Sequence, residues 1–220
     1  MQTTTRITSE LKWADEDNRF QIIQSIQADQ AEAIGRALDY VVYHAVNPKT
    51  GEPLTGFDAL TARAMQVTAG DDDITNVDNL ADQLNETYDI NGIAISRTWA
   101  SRLRKIRVPA TGMRYYPEIP LNLQVGTLDG IKAATSATVN GAKAKTPTNV
   151  LAIMGDFSLI KWGMVRDITS EIIPYGDPDQ TGVDLKAHNQ IAYRTEAMFS
   201  YAVVDPKAFA VLKTSTEAGA

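Results

Sequence analysis

The apolar residues between Asp17 and Val46 recur at the spacing of a single helical face, and this run limits the possible folds more than any other feature of the chain. Ile23, Ile26, Ile34, Leu38, Val41 and Ala45 lie three, four or eight positions apart. That pattern predicts one continuous helix from Asp17 to Val46. At 1.5 Å per residue such a helix extends about 45 Å, roughly two and a half times the length of an average globular helix. It has to lie across a large surface. Asp15, Glu16 and Asp17 supply acidic groups suited to its N-terminus, and Asn47-Pro48 with Gly51 end it. Gly35 interrupts the stripe, which is either tolerated or marks the close approach of another backbone.

The rest of the chain alternates shorter elements. Gln2 to Leu11 reads as a strand, and Gly51 to Gly70, with Pro53 and Gly56, as a loop. A second helix begins near Thr75 or Asn76 and carries Val77, Leu80, Ala81 and Leu84 on one face. Ile90 to Ile95 is expected to be a strand and Trp99 to Ile106 a short helix. Short strands follow at Met113 to Tyr116, Leu121 to Val125 and Gly130 to Ala133, then an exposed loop from Ser136 to Thr148. The last quarter is strand-rich, with apolar runs at Val150 to Met154, Leu159 to Met164, Val165 to Ile173 and Phe209 to Leu212. Its clearest element is Ile191 to Val203, where Ile191, Tyr193, Thr195, Ala197, Phe199, Tyr201 and Val203 alternate with Arg194, Glu196 and Ser200. The class is α+β.

The chemistry is mostly one of exclusion. A net charge of -6 argues against a chain whose main work is to neutralise phosphates. Cysteine is absent, which removes disulfides, thiolate metal sites and thiol nucleophiles. No stretch approaches the length of an apolar membrane span, and the polar start of the chain lacks the core of a secretory signal. There is no HExxH, P-loop, GxSxG or dinucleotide fingerprint. The two histidines, His44 at the negative end of the long helix and His188 in a polar stretch, read as structural or surface residues. Asp71-Asp72-Asp73 and Asp177-Pro178-Asp179 could meet a hard cation but lack the spacing of a calcium loop, so solvated turns and caps describe them better. Arg97, Arg102, Arg104, Lys105 and Arg107 form the only basic concentration, suited to phosphate, to an acidic neighbouring subunit, or to carboxylates of its own chain. Large elements without a chemical site suggest a protein whose product is its own shape.

Several stretches together resemble a known family. They are Lys12-Trp13-Ala14-Asp15-Glu16-Asp17, Ala33-Ile34-Gly35-Arg36-Ala37-Leu38-Asp39 and Tyr43-His44-Ala45-Val46-Asn47-Pro48-Lys49-Thr50-Gly51. Further on come Leu128-Asp129-Gly130-Ile131-Lys132, Gly155-Asp156-Phe157-Ser158 with Trp162-Gly163, and Val204-Asp205-Pro206-Lys207-Ala208-Phe209. In this order they resemble the major capsid proteins of tailed bacteriophages, particularly those of actinobacterial hosts. The resemblance implies the coat fold shared with herpesvirus and encapsulin shells, with a long spine helix, a peripheral domain and an axial domain.

Residues 1–54 and 155–220 would then be peripheral and residues 55–154 axial, while the N-terminal arm and most of the extended hairpin called the E-loop would be absent from this chain. The implied function is a non-enzymatic virion subunit, without cofactor or metal, assembled in the host cytoplasm. Its partner would be itself, in pentamers and hexamers around double-stranded DNA that it meets only indirectly, while the chain as it stands would be monomeric. Candidate subunit contacts are Asp71, Asp72 and Asp73, Lys143 and Lys145 in the Ser136 to Lys145 loop, and Tyr175, Asp177 and Asp179 in the Tyr175 to Val183 loop. Two other functions are kept open. One is an encapsulin-like compartment that packages an enzyme, and the other, of a different class, is a small metal- or ligand-binding protein or enzyme.

Overall fold

A computed structural model describes residues 1–15 and 21–214. The chain divides into two compact units: Met1–Leu38 with Trp162–Ser200, and Asp39–Lys161 with Tyr201–Ala220. These boundaries differ from the divisions at 54/55 and 154/155 expected from the sequence.

The first unit is a three-stranded sheet partly covered by a helix. Strand β1 (Gln2–Thr8) pairs antiparallel with β8 (Gln190–Val203), from Gln2 opposite Glu196 to Thr8 opposite Gln190, and β7 (Ile160–Ile173) lies on the other side of β8. The expected first strand stops at Thr8, because the Thr8 hydroxyl accepts the Leu11 amide and starts a short helix, α1 (Ser9–Ala14). The long helix α2 (Ile22–His44) packs Ile23 and Ile26 against Ile7, Ile191 and Tyr193. The helix expected from Asp17 to Val46 begins only at Ile22, after a left-handed Gln21 (φ 52°), and ends at His44, before a left-handed Ala45 (φ 51°); residues 16–20 lie outside the described residues. The Asp15 carboxylate accepts the Ile22 and Ile23 amides at 3.0 and 3.2 Å, which satisfies two donors at the start of α2. No backbone approaches Gly35, and a Cβ there would meet open space.

One buried polar group ties α2 to the sheet. Gln30, 3% exposed, donates to the Tyr193 carbonyl at 3.0 Å and the Thr5 hydroxyl at 2.9 Å, and accepts from the Thr195 hydroxyl at 2.7 Å. The amide fixes the helix against both β1 and β8 through groups that could not be buried unpaired.

The second unit is a six-stranded mixed sheet in the order β2-β9-β6-β3-β5-β4, formed by Met65–Thr68, Phe209–Lys213, Val150–Gly155, Gly92–Ser96, Ile131–Ser136 and Thr127–Leu128. Its central strands are apolar on both faces. Ile93, Ile95, Met154, Ala210 and Leu212 point into a core under α4 (Asp73–Asp82) and α5 (Arg97–Lys105). Ala94, Ile153, Phe209 and Val211 point into a second core with Leu60 of α3 (Leu60–Arg63), Val139 and Tyr43. Burial on both faces is why these strands read as unbroken apolar runs instead of alternating ones. At Gly155 an added Cβ would lie 2.3 Å from the Ala208 carbonyl oxygen, so the β6–β9 approach requires glycine.

Several expectations for this unit need correction. Gly51 to Gly70 contains α3 and β2. Helix α4 starts earlier than Thr75, because Asp72 caps it by accepting from the Ile74 and Thr75 amides. Met113 to Tyr116 and Leu121 to Val125 do not form strands. The first contributes only one side of an isolated bridge, Arg107 opposite Arg114, and Pro117 and Pro120 withhold the amide donors a longer ladder needs. The runs expected at Leu159 to Met164 and Val165 to Ile173 form one strand, β7, since no turn residue separates them.

His44, read from the sequence as a structural or surface residue, is structural. It is 7% exposed, its Nε2 donates to the Thr138 carbonyl at 2.9 Å, and burial pushes its pKa below the ordinary value. Asp73 is equally internal, at 8% exposed. It accepts from Trp99 Nε1 at 2.9 Å, from Arg102 at 3.0 and 2.7 Å, and from Asn76 at 3.3 Å.

Two substitutions test these anchors. Gln30→Leu is expected to destabilise the first unit by about 2 kcal/mol, since it leaves buried partners unpaired, which urea unfolding would detect. Asp73→Ala strands the Trp99 indole N–H and the Arg102 guanidinium, at an expected cost of about 3 kcal/mol. The double variant Asp73→Ala with Arg102→Met should recover part of that loss. If it is no more stable than the single variant, the ion pair is not the reason for the cost.

Candidate assembly surface

Between Pro174 and Asp184 no residue is buried, so a polar network and not a core shapes this loop. Arg6 of β1 is its centre. Its guanidinium donates to both Asp179 oxygens at 3.0 and 2.9 Å, to Asp177 at 2.6 Å, to the Thr181 hydroxyl at 2.7 Å and to the Val183 carbonyl at 2.9 Å. Asp177 also accepts the Thr181 and Gly182 amides at 3.0 and 2.6 Å, and Arg194 donates to the Pro178 carbonyl at 2.5 Å. Hydrogen bonds from Arg6 hold the Asp179 carboxyl at a pKa of about 2. The two acids therefore neutralise an arginine of their own unit. What the loop turns outward is Tyr175, 70% exposed.

In the second unit, the loop carrying Lys143 and Lys145 is held at its base and is not freely exposed. Thr138 and Val139 are buried, at 2% and 0% exposure. The Thr138 hydroxyl donates to Asp39 at 2.8 Å while its carbonyl accepts from His44, so both α2 groups in this unit grip one residue. Burial raises the Asp39 pKa, and the Thr138 hydrogen bond partly offsets this. Lys143 donates its amide to the Tyr40 hydroxyl at 3.3 Å, and Lys145 pairs with Glu52 at 2.5 Å. Both lysine side chains are exposed. Of the acidic triplet, Asp71 and Asp72 are exposed and Asp73 is spent on Trp99 and Arg102.

Sequence reasoning missed the broadest candidate surface. Residues 161–172 of β7 are all exposed, including Trp162 at 65% and Val165 at 71%. Ser170 meets the Thr195 hydroxyl at 2.8 Å, which places the two residues on one face of the sheet. Trp162, Met164, Ile168 and Ile172, at even spacing from Ser170, share that face, but none of them is buried. From the sequence they read only as apolar runs. Nothing in a single strand's sequence distinguishes an apolar face covered by its own chain from one left open.

A chemical site does not emerge. Among the described residues no three His, Asp or Glu side chains are grouped to hold a metal ion. A groove of about 670 Å³ over β3 and β5, lined by Tyr43, Ile93, Ala94, Lys132, Ala134 and Phe157, brings no acid and base together.

The comparisons agree with a shape-based role. The family model described as the phage capsid family matches residues 4–214. No curated protein sequence matches. A solved chain from Mycobacterium phage Ogopogo is 31% identical, with a TM-score of 0.83 over 98% of this chain and 75% of that one. One from Gordonia phage Cozz is 29% identical, with a TM-score of 0.80 over 99% of this chain and 70% of that one. A chain from the capsid of an empty GTA particle shares the fold at 14% identity, with a TM-score of 0.61 over 98% of this chain and 73% of that one. With the match running from the first strand to the last, this chain belongs to the phage capsid family, as a structural subunit of a phage head.

Proposed function

We propose that the chain builds an icosahedral head by self-association into pentamers and hexamers, in the host cytoplasm, around double-stranded DNA that it meets only indirectly. It does so as a non-catalytic subunit. The unit containing β1, β7, β8 and most of α2 is assigned as the peripheral domain, and the six-stranded unit as the axial domain. The observation that carries this reading is β7. A run of twelve exposed residues containing Trp162, Met164, Val165, Ile168 and Ile172 is more apolar surface than a solitary soluble unit commonly presents on one strand. A second copy of the chain is the occupant that family membership favours. Tyr175, Asp71, Asp72, Lys143 and Lys145 are assigned as further contacts. Asp73, Asp177 and Asp179 shape the surfaces from within.

The relatives are longer than this chain, so assembly is best measured on it both as it stands and extended to their length. Light scattering across concentration should show rings or shells in at least the extended form. Trp162→Glu with Ile168→Glu should abolish them while moving the melting temperature by no more than about 2 °C, because both positions are exposed. Monomers at every concentration in both forms would overturn the proposal.

A further inference from the structure

The charges of the second unit are segregated by helix. Helix α4 packs on β9, toward the β2 edge of the sheet, and α5 packs on β3, β5 and β6, toward the β4 edge. The outward side of α4 and the turns after it carry Asp78, Asp82, Glu86 and Asp89, all exposed. Helix α5 and the hairpin beyond it carry Arg97, Lys105, Arg107 and Arg114, all exposed, with Arg104 half-buried between them. Among the described residues the only ion pair between these helices is the internal one, Asp73 with Arg102. None of the other nine charges has an ion-pair partner there.

Both arrangements cost the isolated chain stability. Arg107 and Arg114 stand directly opposite each other in the bridge that closes the hairpin, and like charges so placed repel. Arg104 Nε is buried with no hydrogen-bond partner. On the acidic side, Asp78 and Asp82 are one helical turn apart, and Asp82 sits at the negative end of α4. The basic hairpin also presents Met113 at 68% and Tyr115 at 45% exposure, and these residue types are enriched with arginine at protein interfaces.

We propose that the basic flank formed by α5 and the 106–115 hairpin docks onto the acidic α4 flank of a second copy of this chain. The contact is heterologous, with one patch meeting a different patch on the next copy, and repetition about an axis closes a ring. It relieves on both sides a repulsion that the single chain cannot relieve. Nucleic acid is the less favoured occupant, since the same unit carries an acidic set that matches the basic one and the chain is negative overall. The proposal rests on the assembly reading and specifies one contact within it.

The test reverses each flank and then both. One variant carries Lys105→Glu, Arg107→Glu and Arg114→Glu, a second carries Asp78→Lys, Asp82→Lys and Glu86→Lys, and a third combines the six. Association is read as mass against concentration in the form of the chain that assembles, at low and high salt, with melting temperatures as the control for folding. Each single-flank variant should associate about tenfold more weakly or worse, the combined variant should regain association, and wild-type association should weaken as salt rises. An assembling wild type whose single-flank variants assemble equally well overturns the flank contact and leaves the assembly reading standing. A wild type that never exceeds monomer mass overturns the assembly reading, and the contact with it. If reversing the basic flank lowers retention of double-stranded DNA but leaves mass unchanged, the patch serves nucleic acid and the proposal fails.

Discussion

The two-faced burial of the six-stranded sheet is the constraint on which the second unit depends. Strands β3 and β9 alternate strictly between two cores, and β6 does so beyond its irregularity at Leu151 and Ala152, so a register slip of one residue would exchange the contents of both. This leaves little freedom for the surrounding elements. Helices α4 and α5 must cover one face, and α3 with the Thr138–Val139 turn must cover the other. Gly155 is fixed by the same requirement, since only its lack of a side chain lets β6 and β9 pair next to the Ala208 carbonyl. Two polar side chains that penetrate these cores, Asp73 and His44, have partners, as most buried polar groups do.

The first unit obeys a different rule. Among the described residues its sheet meets only the short α1 and α2, which is positioned by a handful of isoleucines and by Gln30, and β7 keeps its apolar residues in solvent. For an isolated protein this would be a liability, because an exposed edge strand invites pairing and aggregation. For a shell subunit the same property is useful, since surface left uncovered by the chain is available to another copy. The contrast between the units is therefore one of where the apolar area lies, within the chain's own cores or on its surface.

Much of the fold was legible in the sequence where a single periodicity ran long enough. The α2 stripe and the alternation of β8 gave both elements, and the resemblance to phage capsid proteins pointed to the family that the model and the comparisons support. Short elements were not legible. Helix α3 and β2 span four residues each, too few for a period to register between Pro53 and Gly70. Side-chain roles failed for another reason. For His44 the sequence leaves a structural and a surface role open, and only burial and a partner distant in sequence, Thr138, show that it is structural. The Arg6 network joins residues more than 170 positions apart, which no local pattern could announce.

That separation bears on how the charged residues of such a protein should be read. Asp73, Asp177 and Asp179 stood out in the sequence as acidic clusters, yet each is committed within its own unit, and each serves to hold a surface in shape. The charges left over are the ones with a claim to intermolecular work. They are not scattered as solubility alone would require, but sorted by sign onto neighbouring helices, and two of these placements are opposed by the chain itself, Asp82 at the negative end of α4 and Arg107 opposite Arg114. Selection for stability of the single chain would remove such placements at little cost, because exposed residues are easily replaced. Their presence in this member of the phage capsid family is understandable if the energy they lose in the monomer is recovered on contact with a neighbour.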